Sequence, residues 1–477
     1  MFFKSKLYIF LFLFSFSIFL FLVLTVKDRA FFVRDDYSVL QVASDFSFKK
    51  IFLPHAEHFY PLSRLLFWLQ FDFFKLDFFK YLRVNFFYHL LNIWLVFFIL
   101  KGITKDKMVA LFGFMAAFIG SSYKVFITLA NQTWVLEAFF SLVSLLFLIL
   151  FYQKKKLIFY WLSILGGILA LLTYTVGFAV LVVVFLTTIL FFSKQNKLAF
   201  FVLILFLFFA GLFFTFADKS YLSPNIKMFD LNNLIACLRI VAAGFWSGAF
   251  LGQVFPWVYF FNSHILNYFL IFLILGFLIL FFIRSRKKPS FLNKSNRFYS
   301  SLIFLFVLFH FFIIGWVRNS NLGYALSPQY NYFPRVLFII GLFFGLNIYF
   351  LKNKHFKKRR LNLLFLISLW FLVNQSFYFI HEVNRWEKRA LYTKKYINNL
   401  GYIFSKSYPV LDLNLPDSIS PDLKYSDFNY LFFPEKKVIF LKKEDIDKEK
   451  YLRLIESDKK IYRFYNRAFS GFDIKHY

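Results

Sequence analysis

Apolar runs long enough to cross a membrane recur along this chain, and short clusters of Lys and Arg separate them. Coiled as a helix, roughly 20 apolar residues match the hydrocarbon thickness of a bilayer, and one soluble core cannot absorb many such segments. With 60% hydrophobic residues and a mean hydropathy of +0.62, the 477-residue chain reads as an all-α polytopic membrane protein. Its formal net charge of +31 would suggest nucleic acid in a soluble protein. Here the cations lie between the apolar runs, as the positive-inside rule expects, so the partners are membrane lipids and no nucleic acid. The 81 Phe residues are explained by a compositional bias and mark no cofactor site. Cys237 is the single cysteine, which excludes an intramolecular disulfide and a cysteine-based zinc site.

Lys4 and Lys6 precede an unbroken apolar run from Leu7 to Val26 that has no small-residue cleavage site before Lys27. It is expected to remain as a first span with the N-terminus in the cytoplasm. The clusters at Lys101 to Lys107, Lys154 to Lys156, Lys194 to Lys197, Arg284 to Lys288 and Lys352 to Arg360 are then placed on the cytoplasmic side of a plasma-membrane protein. This predicts about 11 spans, over 7–26, 84–100, 108–122, 134–152, 157–172, 176–192, 198–216, 263–283, 299–317, 334–351 and 361–380. The stretch 231–260 is read as interfacial or re-entrant helices. After the first span, 37–46 and 62–79 show amphipathic helical spacing, the second with Leu65, Leu66, Leu69, Phe73 and Leu76 as its apolar stripe. From His381 onward Lys, Asp, Asn and Pro dominate and runs such as 437–441 look like strands, which predicts a small mixed extracytoplasmic domain over 381–477.

The outer segment 27–83 and the span after it hold most of the acidic, histidine and amide side chains near the membrane. Asp35 and Asp36 follow the first span closely. A carboxylate there can take a proton from an attacking hydroxyl, and a neighbouring carboxylate raises its pKa toward working pH. The same pair also suits a plain helix N-terminus, where the helix dipole favours negative charge. His55, Glu57 and His58 form a second cluster whose spacing matches no zinc pattern; it reads as a polar rim over a cavity, with a divalent metal left open. Asn85, His89 and Asn92 fall on one face of the second span. They can bond neighbouring helices or contact substrate, as can Glu137 near the outer end of the fourth span. Arg318 and Arg335 bracket a late outer loop; a guanidinium there can hold a lipid phosphate bidentately or pair structurally.

Four of these pieces together resemble the GT-C class of integral-membrane glycosyltransferases, in the branch of protein O-mannosyltransferases, TMTC-type mannosyltransferases and aminoarabinose transferase-like proteins. They are the Asp35-Asp36 pair; Tyr60-Pro61-Leu62-Ser63-Arg64; Asn85, His89 and Asn92; and Tyr330-Asn331-Tyr332-Phe333-Pro334. The resemblance covers roughly residues 1–380 and implies a GT-C-like transmembrane domain there. It further implies a polyprenyl-phosphate-linked sugar donor, a glycan, lipid or protein hydroxyl as acceptor, and inversion at the anomeric carbon. Asp35 becomes the general base and Asp36 its acidic partner. His58, Tyr60, Asn85, His89, Asn92, Glu137 and Tyr330 line the substrate site, with Arg64 or Arg335 near the donor phosphate. Where many relatives carry Lys-Glu at the start of the sixth span, this chain has Thr173-Tyr174-Thr175, which leaves open a divergent donor or a silent member. A transporter or flippase of a lipid-linked or anionic substrate, and a non-catalytic envelope scaffold, are the competing classes. The gathering of charge at span boundaries speaks against the transporter.

Overall fold

The computed structural model describes residues 2–27, 29–32, 35–44, 47–52, 60–118, 120–192, 196–216, 231–245, 249, 254, 294–317, 327–352, 359–405, 410–412, 462–467 and 471–476. Among them the helices, in chain order, are α1 (Phe2–Val26), α2 (Asp35–Ser44), α3 (Phe48–Ile51), α4 (Pro61–Phe74), α5 (Phe78–Thr104), α6 (Lys107–Ala116), α7 (Lys124–Ile127) and α8 (Gln132–Lys154). They continue with α9 (Leu157–Thr173), α10 (Phe178–Phe191), α11 (Asn196–Phe216), α12 (Leu231–Ala243), α13 (Lys294–Val317), α14 (Tyr332–Lys352) and α15 (Arg360–Ser405). Six carry apolar segments long enough to cross a membrane: Lys6–Val26, Phe78–Thr104, Gln132–Lys154, Ser295–Trp316, Tyr332–Leu351 and Arg360–Lys388. Shorter apolar helices fill the bundle between them, including Leu157–Thr173 and Thr175–Phe191.

Two sequence expectations need correction. The span predicted over 108–122 is a helix only to Ala116, followed by a 3-10 turn at Gly120–Ser122 and the single-turn α7. The cause is close packing: a side-chain carbon at Gly120 would overlap the Gln375 carbonyl oxygen and come within 2.9 Å of Phe379 Cβ on α15. The amphipathic helix predicted over 62–79 stops at Phe74, because Lys75 takes a positive φ of 48° and Asp77 starts the next helix by accepting from the Lys80 N–H at 3.4 Å. Phe78 and Phe79 therefore begin α5. The predicted span 263–283 and the strand-like run 437–441 lie outside the described residues.

The bundle closes as membrane bundles do, through small residues and hydrogen bonds between helices. α8 and α9 exchange two bonds: Ser144 Oγ donates to the Ser163 carbonyl at 2.8 Å, and Ser163 Oγ donates to the Ser144 carbonyl at 2.9 Å. Beside them a Cβ at Gly166 would lie only 3.0 Å from the Ser144 N, so glycine lets the two backbones approach. At the Lys-rich end, Asp106 caps α6 by accepting from the Met108 N–H at 2.8 Å and pairs with Arg360 of α15, whose Nη1 also donates to Asn347 Oδ1 of α14 at 3.0 Å. Gln153 of α8 donates there to the Gly102 carbonyl and to the Tyr299 hydroxyl, at 2.9 and 2.8 Å. One clamp thus joins α5, α6, α8, α13, α14 and α15.

α15 has 46 residues, roughly 70 Å at the α-helical rise, more than twice the hydrocarbon thickness. It runs unbroken through the expected domain boundary at 380/381, and Arg29 beyond α1 donates to its Asn384 Oδ1 at 2.6 Å. Beyond it lie three strands, β1 (Val410–Asp412), β2 (Tyr462–Arg467) and β3 (Gly471–His476). β1 is parallel and β3 antiparallel to β2.

The break at Gly120 generates a prediction. Gly120→Ala should lower the unfolding free energy in detergent by about 1–3 kcal/mol, the usual cost of overpacking. Gly211→Ala, where nothing lies within 4 Å, should be neutral or slightly stabilising. Thermal unfolding of the two purified variants checks this.

Candidate functional site

The described residues between α6 and α8, from Ala117 to Asn131, are broken into turns, a 3-10 turn and the single-turn α7, yet are largely buried. Backbone N–H and C=O groups that leave a helix inside an apolar bundle need partners from the protein, since lipid offers none. They receive them from polar side chains far away in sequence. Asp36, fully buried, accepts the Ala130 N–H on Oδ1 at 2.7 Å. Asn85 donates from Nδ2 to the Val125 carbonyl. Arg335, 4% exposed, ties the same stretch through a side chain, donating from Nη1 to Ser122 Oγ at 3.0 Å. In the first turn of α8, Asn92 donates from Nδ2 to the Val135 carbonyl at 2.9 Å.

The second proton of the Asn92 amide goes to the Tyr332 hydroxyl at 3.0 Å, and that oxygen lies 2.7 Å from His89 Nδ1. The His89 ring is packed edge-on against Phe126 of α7, with centroids 4.7 Å apart. Trp134 joins the same end of the bundle, its ring 4.2 Å from that of Tyr174 and 4.7 Å from that of Tyr330. The Tyr330 carbonyl accepts from His310 Nε2 of α13 at 2.9 Å.

α4 covers this region with the opposite polarity from a soluble amphipathic helix. Its buried face carries Pro61, Ser63, Arg64, Phe67 and Gln70. Of the expected apolar stripe, Leu69 and Phe73 are exposed, Phe73 by 75%. That arrangement suits a helix with its polar side on protein and its apolar side toward lipid. Ser63 Oγ pins α4 by donating to the Thr173 carbonyl at 2.8 Å, and the Arg64 guanidinium stands 5.1 Å from the Tyr60 ring centroid.

Most of the residues selected by sequence therefore meet at one end of the bundle. Asp36, Asn85, Asn92, Tyr330 and Arg335 reach the connector or the first turn of α8, His89 joins through Tyr332, and Tyr60 and Arg64 lie on α4. Glu137 sits one turn further into α8, with Oε1 accepting from Ser141 Oγ at 2.6 Å and no partner for Oε2 among the described residues. Asp35 opens α2, but its side chain lies outside the described residues, as do His55, Glu57, His58 and Arg318. Among the described residues, no three His, Cys, Asp or Glu side chains come together in a metal-binding group.

Sequence reasoning passed over Gln70 and Gln132, which are buried beside this connector. The criterion that selected Asn85, an uncharged amide inside an apolar helix, would have found both.

Fold and site define a polytopic α-helical membrane protein with a buried polar seam at one end of its bundle. In its overall course the chain is similar to ArnT from Cupriavidus metallidurans, crystallised bound to undecaprenyl phosphate. That likeness covers 95% of this chain and 92% of that one at 10% identity, with a TM-score of 0.47. No family model and no curated protein sequence matches the chain.

If the Tyr332 hydroxyl bridges α5 to α14, Tyr332→Phe should destabilise the purified protein by about 1–3 kcal/mol, because it strands a buried imidazole nitrogen and an amide hydrogen. A double-mutant cycle with His89→Phe should return a coupling of about 0.5–3 kcal/mol. Unfolding of the three variants in detergent measures both.

Proposed function

We propose that the protein is an inverting membrane glycosyltransferase. It would move a sugar from a polyprenyl-phosphate-linked donor to a hydroxyl of a glycan, lipid or protein on the extracytoplasmic side. The observation that carries this reading is convergence. Stretches around residues 36, 64, 89 and 335, separated by most of the chain, meet around the connector before α8. These are the stretches that resemble the GT-C class.

On this reading Asp35 takes the acceptor proton as the hydroxyl oxygen attacks the anomeric carbon. Asp36, held by the Ala130 N–H, fixes the start of α2 and so the position of its neighbour. The bond from the anomeric carbon to the phosphate oxygen breaks on the opposite face, and the lipid phosphate leaves with the electron pair. Arg64 or Arg335 stabilises the charge that develops there. A carrier chain can reach the site from within the bilayer past the lipid-directed face of α4. The N-terminus is cytoplasmic, and residues 381–477 form an extracytoplasmic domain beside the acceptor.

A transporter reading draws on Glu137, an ionisable side chain inside a span with one oxygen lacking a partner among the described residues. It predicts that Glu137→Gln abolishes function while Asp35→Asn leaves it intact.

The test is transfer of labelled sugar in membranes holding the wild type, Asp35→Asn or Asp36→Asn at equal abundance, with a panel of polyprenyl-phosphate sugars and extracted envelope acceptors. Wild-type transfer should fall by about 10²-fold or more in Asp35→Asn, as loss of a general base requires, and fall also in Asp36→Asn. Equal transfer in all three removes the pair from catalysis. No transfer from any donor, while a known transferase works in the same assay, overturns the enzyme reading in favour of a scaffold or transporter.

A further inference from the structure

The end of the bundle opposite the candidate site carries positive charge that the chain itself does not balance. α5 and α8 finish there side by side, with Gln153 donating to the Gly102 carbonyl at 2.9 Å. Lys105 and Lys155 follow the two helices in the left-handed conformation, each at a φ of 59°. Glycine holds such a position at no steric cost, so a lysine there keeps an ammonium at the expense of backbone strain. Lys105 Nζ donates to Gln153 Oε1 at 3.0 Å, and burial, followed by the charge of Lys154, holds its ammonium below the usual lysine range. Lys101, one turn earlier, donates to the Tyr8 hydroxyl at 3.3 Å, and Lys155 Nζ stands 4.5 Å from the centroid of the Tyr152 ring. Among the described residues no carboxylate pairs with Lys101, Lys105 or Lys154. The neighbouring Asp106 is spent on Arg360 and on the Met108 N–H. A lysine in the last turn complements the helix dipole, which accounts for Lys101 and Lys154 singly. It does not account for like charges set against one another without an acid between them.

We infer that the adjoining ends of α5 and α8 form a binding site for the headgroup of an anionic phospholipid, gripped by Lys101, Lys105, Lys154 and Lys155. The apolar segments Phe78–Thr104 and Gln132–Lys154 end here, which sets the ammonium groups at the depth of lipid phosphates. The rings of Tyr8, Tyr152 and Phe159 stand beside them, within 5.9, 4.5 and 5.1 Å of Lys101, Lys155 and Lys154. From Lys156 the chain turns back as α9, whose outer face carries Ile158, Trp161 and Leu165, all exposed. An acyl chain can follow that face from a headgroup held by the lysines. Basic pockets between helix ends at a membrane surface hold anionic headgroups in this way. A soluble phosphate gains the charge contacts without the apolar face, so the lipid is the better complement. No part of this site depends on the transferase reading.

The probes are phosphatidylglycerol, phosphatidylcholine with the same acyl chains, and inorganic phosphate, each titrated against the full-length protein in detergent by native mass spectrometry and thermal shift. Wild type should bind phosphatidylglycerol about tenfold or more tighter than phosphatidylcholine, and inorganic phosphate should compete only weakly. Lys105→Gly and Lys155→Gly should each lower that preference about fivefold, the share of one lysine at a membrane surface. Because glycine suits the left-handed position, both variants should keep or raise the thermal midpoint measured without lipid, which separates lost binding from lost folding. Should either fail to fold, Lys154→Gln leaves the backbone untouched and carries the same expectation. Lys105→Arg should retain the preference. Lys75→Gly makes the same change at another lysine of positive φ, near the other end of the bundle, and should leave the preference as it is. A wild type that binds both lipids alike, or lysine variants that keep the preference, overturns the site. An equal loss in Lys75→Gly also overturns it, by reducing the preference to overall charge. Inorganic phosphate that displaces phosphatidylglycerol at comparable concentration overturns the lipid as occupant.

Discussion

The structure depends on how a buried, non-helical stretch of backbone is satisfied inside an apolar bundle. Between α6 and α8 the chain breaks into a 3-10 turn, the single-turn α7 and the turns around them, and neither lipid nor an apolar side chain can replace the helical hydrogen bonds that are lost. Asp36 and Asn85 supply backbone partners, Arg335 holds the Ser122 hydroxyl, and Asn92 ties α8 where regular structure resumes. The fold is therefore locked by a few polar ties drawn from α2, α5 and α14, each indifferent to its distance in sequence. The Gly120 contact with α15 shows how closely the connector approaches that helix, since no side-chain carbon fits between them.

These ties gather polar side chains at the connector end of the bundle. The opposite end is held by Asp106, Arg360, Asn347 and Gln153, a clamp of charges and amides among lysines. Between the two ends packing is apolar and aromatic, with the serine exchange between α8 and α9 as a local exception. α4 expresses the same logic in one helix, with Ser63, Arg64 and Gln70 turned to protein and Leu69 and Phe73 turned outward.

Several roles proposed from sequence change character once geometry is known. Asn85 and Asn92 spend amide protons on carbonyls of α7 and α8, the interhelical bonding that was one of the two readings of these residues. Asp36 is committed to a backbone N–H, which separates its task from that proposed for Asp35. The glutamines with buried amide atoms lacking a partner among the described residues, Gln70 and Gln132, stood out in neither charge nor motif. Sequence reasoning weighs residue type and spacing, whereas an unmet hydrogen bond is a property of surroundings.

By itself the sequence determined that this is a helical membrane protein, where most of its long helices run, and which polar residues are too costly to bury idly, because apolar length and cation placement are local quantities that a bilayer reads directly. It could not determine that 108–122 breaks at Ala116, that α4 ends at Phe74, or that the helix across residue 380 is continuous, since each turns on a contact or cap made after the chain has folded. Only tertiary structure decided which polar groups meet. Asp36 and Ala130, His89 and Tyr332, and Ser122 and Arg335 are joined by three-dimensional packing, and no periodicity along the chain encodes a hydrogen bond between helices 243 residues apart.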